Sequence, residues 1–305
     1  MKKLLCLLLF ASQSLIAQRN VAFLHTAVAN DPADALEAAV DFSEIPFEIA
    51  GGMFVVRASV DGKSGNFVLD TGAPGIVLNS EDLASKNSCK AASVSGAMTV
   101  GEVEVKNFQL GGIIKKRAQG HALNVQHLEA ACGMDIMGLI GYDVLRNYEL
   151  LFDFPNKKIQ AYKTGKARKD QMTKPLLSLP FTLCGHVPVI VARVGNKRVF
   201  LGLDSGAEVN LLDKKFYDAF SPGELLNSKS ELLTGIDNAT QEVMAADVPD
   251  TKIKGAVLPN MRYVFTDLSR LRQDFDAPLD GLLGVPFFRD KVISIDYGRK
   301  RIYLW

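Results

Sequence analysis

Cysteine is scarce in this chain of 305 residues, which contains only four. Cys6 lies in the apolar stretch at the N-terminus, so three cysteines remain for the rest of the chain. An odd number leaves at least one of them unpaired or bonded to another chain. Cys89 and Cys132 lie in the same half and could form a disulfide in an oxidising compartment. Cys184, inside an apolar stretch, is expected to be a small buried hydrophobic residue.

Clustered metal ligands and the common serine nucleophile motif are also missing. The four histidines are scattered, and neither His-Glu-x-x-His nor Cys-x-x-Cys occurs. These absences predict a protein that uses no metal and no other cofactor. A serine hydrolase lacks support because the chain has no Gly-x-Ser-x-Gly nucleophile elbow.

The chain has almost no net charge and, after its first residues, no long apolar run. Thirty-five basic and 34 acidic side chains give a formal net charge of +1. This balance does not favour nucleic acid or an anionic membrane surface as a partner. No later segment has the roughly 20 apolar residues that span a bilayer. We therefore predict a soluble mature protein without stable insertion in a membrane.

The first 17 residues have the pattern of a secretory signal peptide. Two lysines follow Met1, an apolar run extends from Leu4 to Phe10, and small and polar residues continue to Ala17. We predict cleavage after Ala17 and a periplasmic or secreted mature protein; the alternative is a buried N-terminal helix. Residues 18–44 form a short acidic extension to which no role is assigned.

Most of the remaining sequence consists of an internal repeat with two copies. Phe47–Asn79 aligns without a gap on Phe181–Asp213, 134 positions further along the chain. Gly138–Tyr162 aligns on Gly281–Trp305, 143 positions further along. Two matches in the same order indicate an internal duplication.

Each copy has the pattern of β structure. Runs rich in β-branched residues end at turns such as Asp61-Gly62 and Gly195-Asn196 and continue as further apolar runs. We predict an all-β fold of two homologous barrel-like lobes, residues 45–164 and 165–305. Helical patterns are scarce, and the segments that could form short helices are Ser80–Ser85, Lys214–Phe220 and Leu268–Asp274.

An acidic motif stands at the centre of the first repeated block. Asp70-Thr-Gly and Asp204-Ser-Gly each follow an apolar strand and precede an alanine. A carboxylate at the end of a buried strand needs hydrogen bonds, which a neighbouring hydroxyl and a turning glycine backbone can provide. If the two lobes bring these carboxylates face to face, they share a proton, and one of them can act as general base on a water.

These motifs resemble those of the aspartic peptidase superfamily, which includes pepsin and the retroviral proteases. The closest resemblance is to bacterial aspartyl proteases with retroviral-type motifs. The family's second motif, two apolar residues and a glycine, matches Leu139-Ile-Gly141 and Leu282-Leu-Gly284. The resemblance covers residues 45–305 and implies a cleft between the lobes, in one chain that is complete as a monomer. It implies that Asp70 and Asp204 are catalytic and that their loops are supported by Thr71, Gly72, Ser205 and Gly206.

The chain departs from the pepsin pattern in its flap and in its N-terminal extension. No tyrosine occurs between Asp70 and Gly138, so a retroviral-type flap is expected at Ser93–Val105, with Thr234–Ala239 as its counterpart. The acidic extension is unlike the basic pro-segment of pepsin zymogens. The resemblance implies an aspartic-type endopeptidase acting on peptides or proteins. The alternative is a catalytically silent relative that binds peptides in the same cleft.

Overall fold

The structure, a computed structural model, describes residues 16–26, 40–84, 88–165, 174–221, 223–274 and 278–305. Most of the predicted signal peptide therefore lies outside the described residues. The same is true of residues 27–39 of the N-terminal extension and of residues 166–173 near the start of the predicted second lobe. Strands make up 59% of the described residues and helices 10%, so the predicted all-β class is confirmed.

The strands occur in two series that follow the repeat. Those of the first half are β1 (Gln18–Val21), β2 (His25–Thr26), β3 (Phe42–Ala50), β4 (Met53–Val60), β5 (Lys63–Leu69), β6 (Ile76–Asn79), β7 (Ser88–Ser93), β8 (Gly96–Leu110), β9 (Ile113–Leu123), β10 (Gly138–Ile140), β11 (Tyr148–Asp153) and β12 (Lys158–Lys163). Those of the second half are β13 (Leu177–Pro180), β14 (Thr182–Cys184), β15 (Val187–Val194), β16 (Lys197–Leu203), β17 (Asn210–Asp213), β18 (Leu226–Gly235), β19 (Thr240–Ile253), β20 (Ala256–Thr266), β21 (Gly281–Leu283), β22 (Val292–Asp296) and β23 (Arg301–Leu304).

Two sheets carry the lobes. The second lobe forms a nine-stranded sheet in the order β1-β18-β19-β20-β17-β21-β16-β15-β14. The other sheet has 14 strands in the order β13-β23-β22-β11-β12-β3-β4-β5-β10-β6-β9-β8-β7-β2. At one end of it, β11 pairs with β22, so the C-terminal hairpins of both repeat copies meet and join the lobes. The predicted all-β architecture of two lobes is thereby confirmed.

The repeat is visible in the pairing of equivalent strands. In the first lobe β10 lies parallel to β5 and antiparallel to β6. In the second lobe β21 lies parallel to β16 and antiparallel to β17. The hairpin turns occur as predicted, at Asp61-Gly62 and Gly195-Asn196, with positive φ angles of 50°, 78° and 55° at Asp61, Gly62 and Gly195. These left-handed conformations favour the Asp-Gly and Gly-Asn sequences found there.

The helices are short and lie at strand ends. They are α1 (Glu81–Ala84), α2 (Gln126–Cys132), α3 (Tyr142–Leu145), α4 (Ser269–Asp274) and α5 (Val285–Phe288), with a 3₁₀ turn at Lys214–Phe216. The three helical segments predicted from sequence correspond to α1, the 3₁₀ turn and α4. Helices α2, α3 and α5 were not predicted. Among the described residues no helix has the length and hydrophobicity needed to cross a membrane.

The cysteines of the described part of the chain are not bonded to one another. Cys89, Cys132 and Cys184 form no disulfide there, so the possible Cys89–Cys132 bridge is not made. The Cys132 thiol instead donates to the main-chain oxygen of Ala50, at 3.5 Å. Cys184 is 1% exposed, as expected for a small buried hydrophobic residue.

Candidate active site

The two acidic motifs occupy equivalent loops, one in each lobe. Asp70 follows the last residue of β5, and its main-chain N–H donates to Ile140 O in β10, at 2.9 Å. Asp204 follows β16 in the same way and donates to Leu283 O in β21, at 3.0 Å. Both side chains are fully buried. Each carboxyl group is therefore fixed at the end of a strand that its own lobe holds on both sides.

The second motif of each lobe packs against the acidic loop. A Cβ atom on Gly141 would lie 2.3 Å from Ala73 O, and one on Gly284 would lie 2.5 Å from Ala207 O. Both distances are far shorter than any Cβ contact in a real protein. Only glycine fits at these two positions, which explains why the repeated Leu-x-Gly motif accompanies each acidic motif.

The two carboxyl groups face each other across the boundary between the lobes. Gly72 N donates to Asp70 Oδ1 at 2.7 Å, and Gly206 N donates to Asp204 Oδ1 at 2.9 Å. A Cβ on Gly72 would lie 2.7 Å from the Asp204 carboxyl carbon, and one on Gly206 would lie 2.4 Å from that of Asp70. The Oδ2 atoms receive no hydrogen bond from the other described residues. One oxygen of each acid thus remains free for its partner or for a reacting group.

Burial raises the pKa of both acids. It lifts the pKa of Asp70 well above its usual range, and the charge of Asp204 and a hydrogen bond between the two carboxyl groups raise it further. Burial also raises the pKa of Asp204, to about 6, against hydrogen bonds from Asp70 and from the loop main chain that lower it. The pair therefore holds one proton near neutral pH, and that proton belongs to the pair as a unit.

The burial of Asp204 predicts that the unfolding free energy depends on pH, and this can be measured in inactive variants. Asp204 remains titratable in the Asp70→Asn protein and is removed in the Asp70→Asn/Asp204→Asn protein. Because the pKa of Asp204 is raised on folding, the stability that Asp204 contributes is present at pH 4 and is lost as pH rises through about 6. We expect the unfolding free energy of the single variant to fall by about 2 kcal/mol relative to the double variant between pH 4 and pH 7.5.

Urea unfolding at both pH values measures this difference. All other titrating groups are common to the two proteins and cancel. A difference that does not change with pH would mean that the Asp204 carboxylate is solvated, contrary to its position in the structure.

The hydroxyl residues of the two loops are bonded across the lobe boundary. Thr71 Oγ1 donates to Leu203 O at 2.9 Å and accepts from Ser205 N at 3.0 Å. Ser205 Oγ donates to Leu69 O at 2.7 Å and accepts from Thr71 N at 3.0 Å. Each loop is therefore positioned by the opposite lobe, and four buried hydrogen bonds fix the separation of the two carboxyl groups.

Removing one hydroxyl should destabilise the protein. Thr71→Val keeps the shape of the side chain but leaves Ser205 N and Leu203 O without their buried partner. We expect a loss of about 1–3 kcal/mol of unfolding free energy in urea titrations. Thr182→Val, the same change at an exposed position in β14, should change it by less than about 0.5 kcal/mol. Equal stabilities of the two variants would contradict the proposal that the hydrogen bonds of Thr71 and Ser205 hold the two loops together.

Two hairpins cover the cleft as flaps. The first-lobe flap is β7 and β8 with its tip at Val94-Ser95, and the predicted span Ser93–Val105 includes this tip and the start of β8. The second-lobe flap is β18 and β19, with residues 236–239 at its tip. Ser93 Oγ donates to Asp237 Oδ2 at 3.1 Å, so the two tips touch across the cleft.

A buried histidine beside the pair was not identified as a site residue from the sequence. Burial lowers the pKa of His186 to about 3, so its ring is neutral. Its Nε2 lies 2.9 Å from Gly72 O and must donate, because a carbonyl can only accept. His186 occupies the repeat position of Gly52, where the two copies differ strongly. That asymmetry was the only sequence signal that could have singled it out.

The geometry agrees with a comparison against known protein families. Residues 54–152 match the family model of the retroviral aspartyl proteases. This part of the chain is similar to a retroviral-type aspartyl protease domain. It extends from β4 to β11 and so contains the Asp70 loop, the first flap and Leu139-Ile-Gly141. The Asp204 loop lies outside the matched residues and is linked to the domain by the internal repeat. No curated protein matches the chain significantly.

Proposed function

We propose that this chain is an aspartic-type endopeptidase in which Asp70 and Asp204 are the catalytic pair. The observation that carries the proposal is the meeting of two Asp-Thr/Ser-Gly loops, one from each lobe, with their carboxyl groups facing each other. The family of residues 54–152 supports peptide substrates. Thr71, Ser205, Gly72 and Gly206 are assigned to positioning the pair.

The chemistry follows from a pair that holds one proton. The ionised carboxyl accepts a proton from a water molecule, whose oxygen attacks the peptide carbonyl carbon. The protonated carboxyl donates to the carbonyl oxygen, and the leaving nitrogen receives a proton as the C–N bond breaks. No covalent enzyme intermediate is formed. The low-dielectric surroundings keep the proton on the pair at a pH where an exposed aspartate would have lost it.

We also propose where the enzyme acts and that it acts as a monomer. A signal peptide removed after Ala17 would deliver the enzyme to the periplasm or the exterior. A monomer would suffice, since one chain supplies both acidic loops. Sedimentation of the processed protein, together with activity proportional to its concentration, tests the monomer.

Digestion of a mixed peptide library between pH 3 and pH 8 tests the activity. We expect cleavage by the wild type and none by Asp70→Asn, with loss of cleavage at high pH, where the shared proton leaves. A second candidate is a silent peptide-binding relative, which the absence of an aromatic ring at the Val94-Ser95 flap tip favours. Library peptides that bind in the cleft but stay uncut over the whole pH range would establish that candidate and refute the peptidase.

A further inference from the structure

The cleft is occupied by the chain's own N-terminal segment, residues 18–26. At one end, β1 lies parallel to β18 of the second-lobe flap, with Gln18 opposite Leu232 and Val21 opposite Gly235. At the other end, β2 lies antiparallel to β7 of the first-lobe flap. The segment therefore passes from one lobe to the other and pairs with a strand of each flap. An added strand of this kind is a common way for proteins to bind peptides.

The middle of the segment is bonded to both acidic loops. Ala22 N donates to Gly206 O at 3.1 Å, and Leu24 N donates to Gly72 O at 3.2 Å. The two glycines are equivalent in the internal repeat and lie on opposite sides of the carboxyl pair. The nitrogen of Phe23 is midway along the chain between the two donors. The peptide group placed over the pair is consequently the one that joins Ala22 to Phe23.

The side chains of the segment alternate between the lobes. Val21 and Phe23 belong to a buried cluster that includes Ala207 and Leu233 of the second lobe. Ala22 and Leu24 belong to another buried cluster, which is built largely from the first lobe. All four residues are fully buried. Alternation with a period of two is the pattern of an extended peptide whose side chains enter separate pockets.

Polar contacts hold the part of the segment that precedes this bond. Asn20 N donates to Glu208 Oε2 at 2.9 Å, and Glu208 N donates to Asn20 O at 3.0 Å. Arg19 forms ion pairs with Glu208, at 2.8 Å, and with the buried carboxylate of Glu231, at 2.9 Å. These contacts fix the register of the segment, because a shift of one residue would break all of them and turn every side chain to the opposite lobe.

We propose that Ala22–Phe23 is a self-cleavage site and that residues 18–26 block the cleft until this bond is cut. The proposal rests on the proposed peptidase function. Water supplies its oxygen to the carbonyl carbon of Ala22, the C–N bond breaks, and the nitrogen of Phe23 takes up a proton. The products are a fragment that ends in the Ala22 carboxylate and a chain that begins at Phe23. The new carboxylate lies beside two acids, and their repulsion favours release of the fragment.

The occupant also indicates which foreign peptides the cleft accepts. They should bind in an extended conformation, with a small apolar residue before the scissile bond and a large aromatic residue after it. Such peptides can enter only after the segment has left. Cleavage of an added peptide by the full chain should therefore begin after a lag as long as self-cleavage takes.

The test is a time course of intact mass and N-terminal sequence for the full chain at pH 5, with library peptides present. We expect a product that begins at Phe23 in the wild type, at a first-order rate that does not depend on protein concentration. Asp70→Asn should retain the bond. A synthetic peptide of residues 18–26, added to the processed protein, should be cut between its alanine and its phenylalanine.

A matched pair of variants separates occupancy of the cleft from general damage. Phe23→Asp places a charge in a buried pocket and should abolish both the cut and the lag. Phe42→Asp makes the same change at a residue that is 47% exposed in β3 and should behave as the wild type. Cleavage of library peptides while Ala22–Phe23 and the synthetic peptide stay intact, or a cut at another bond of the segment, would overturn this inference and leave the peptidase standing. No cleavage of anything would refute both.

Discussion

Asp70→Asn and Asp204→Asn are each expected to reduce the rate of peptide hydrolysis at least about 10³-fold, the usual scale of acid–base catalysis by a positioned group. Asparagine can neither accept the proton of the water nor hold the shared proton. The shape of each loop should survive, since an amide oxygen can still accept from Gly72 N or Gly206 N. The measurement is kcat/KM for a peptide identified in the library, with wild type and variants all prepared as residues 23–305, because an inactive variant could not remove the segment itself.

The double variant distinguishes a catalytic pair from two independent residues. If the acids work as one unit, combining the substitutions should add less than about tenfold to the loss caused by either one. Asp61→Asn is the matched control, because Asp61 lies at the tip of an exposed hairpin whose positive φ also suits asparagine. Its kcat/KM should equal that of the wild type. Wild-type rates in either single variant would refute the paired mechanism.

The repeat explains how much of the fold was predictable. Strands, turns and the acidic loops are encoded locally, by β-branched runs, by Asp61-Gly62 and Gly195-Asn196, and by a motif that occurs twice. The three helices that were not predicted are only four to seven residues long. Segments of this length hold their shape through packing at strand ends, and they leave little periodicity in the sequence.

Residues that act through distant contacts could not be predicted. Nothing in Gln18–Val21 specifies that it pairs with Leu232–Gly235, more than 200 positions away, because the partner of an edge strand is chosen by the folded surface. In the sequence His186 is one of four scattered histidines, and only the fold shows that it contacts Gly72. The role of the extension could not be predicted for the same reason, although residues 18–26 lie between the two lobes.

Gly141→Ala is expected to reduce both stability and activity, although Gly141 lies outside the acidic loop that it packs against. The new Cβ would lie 2.3 Å from Ala73 O, 2.7 Å from Ala73 C and 2.9 Å from Gly75 O. All three atoms belong to the main chain, so no flexible side chain can move aside. The φ angle of Gly141 is −119°, which alanine adopts freely, and the whole effect must therefore come from the clash.

Relief of that clash requires the Asp70 loop to move away from β10. We expect a loss of about 1–3 kcal/mol of unfolding free energy in urea, as for other overpacked sites. Displacement of one carboxyl by several tenths of an ångström to 1 Å should reduce kcat by up to about 10²-fold. Gly284→Ala, which faces Ala207 O at 2.5 Å, should have the same consequences for Asp204.

Gly133→Ala is the control that separates a steric clash from the loss of a glycine. Gly133 has a φ of 66°, and among the described residues no atom outside its own helix end and chain neighbours lies within 4 Å of the position that an added methyl would take. Alanine there meets backbone strain without a collision. It should cost about 1 kcal/mol of stability and leave kcat unchanged, since the added methyl pushes against no neighbouring element. A Gly141→Ala enzyme with wild-type kcat would show that the acidic loop does not depend on β10 for its position. The positions of the two carboxyl groups would then depend on the four hydrogen bonds of Thr71 and Ser205 alone.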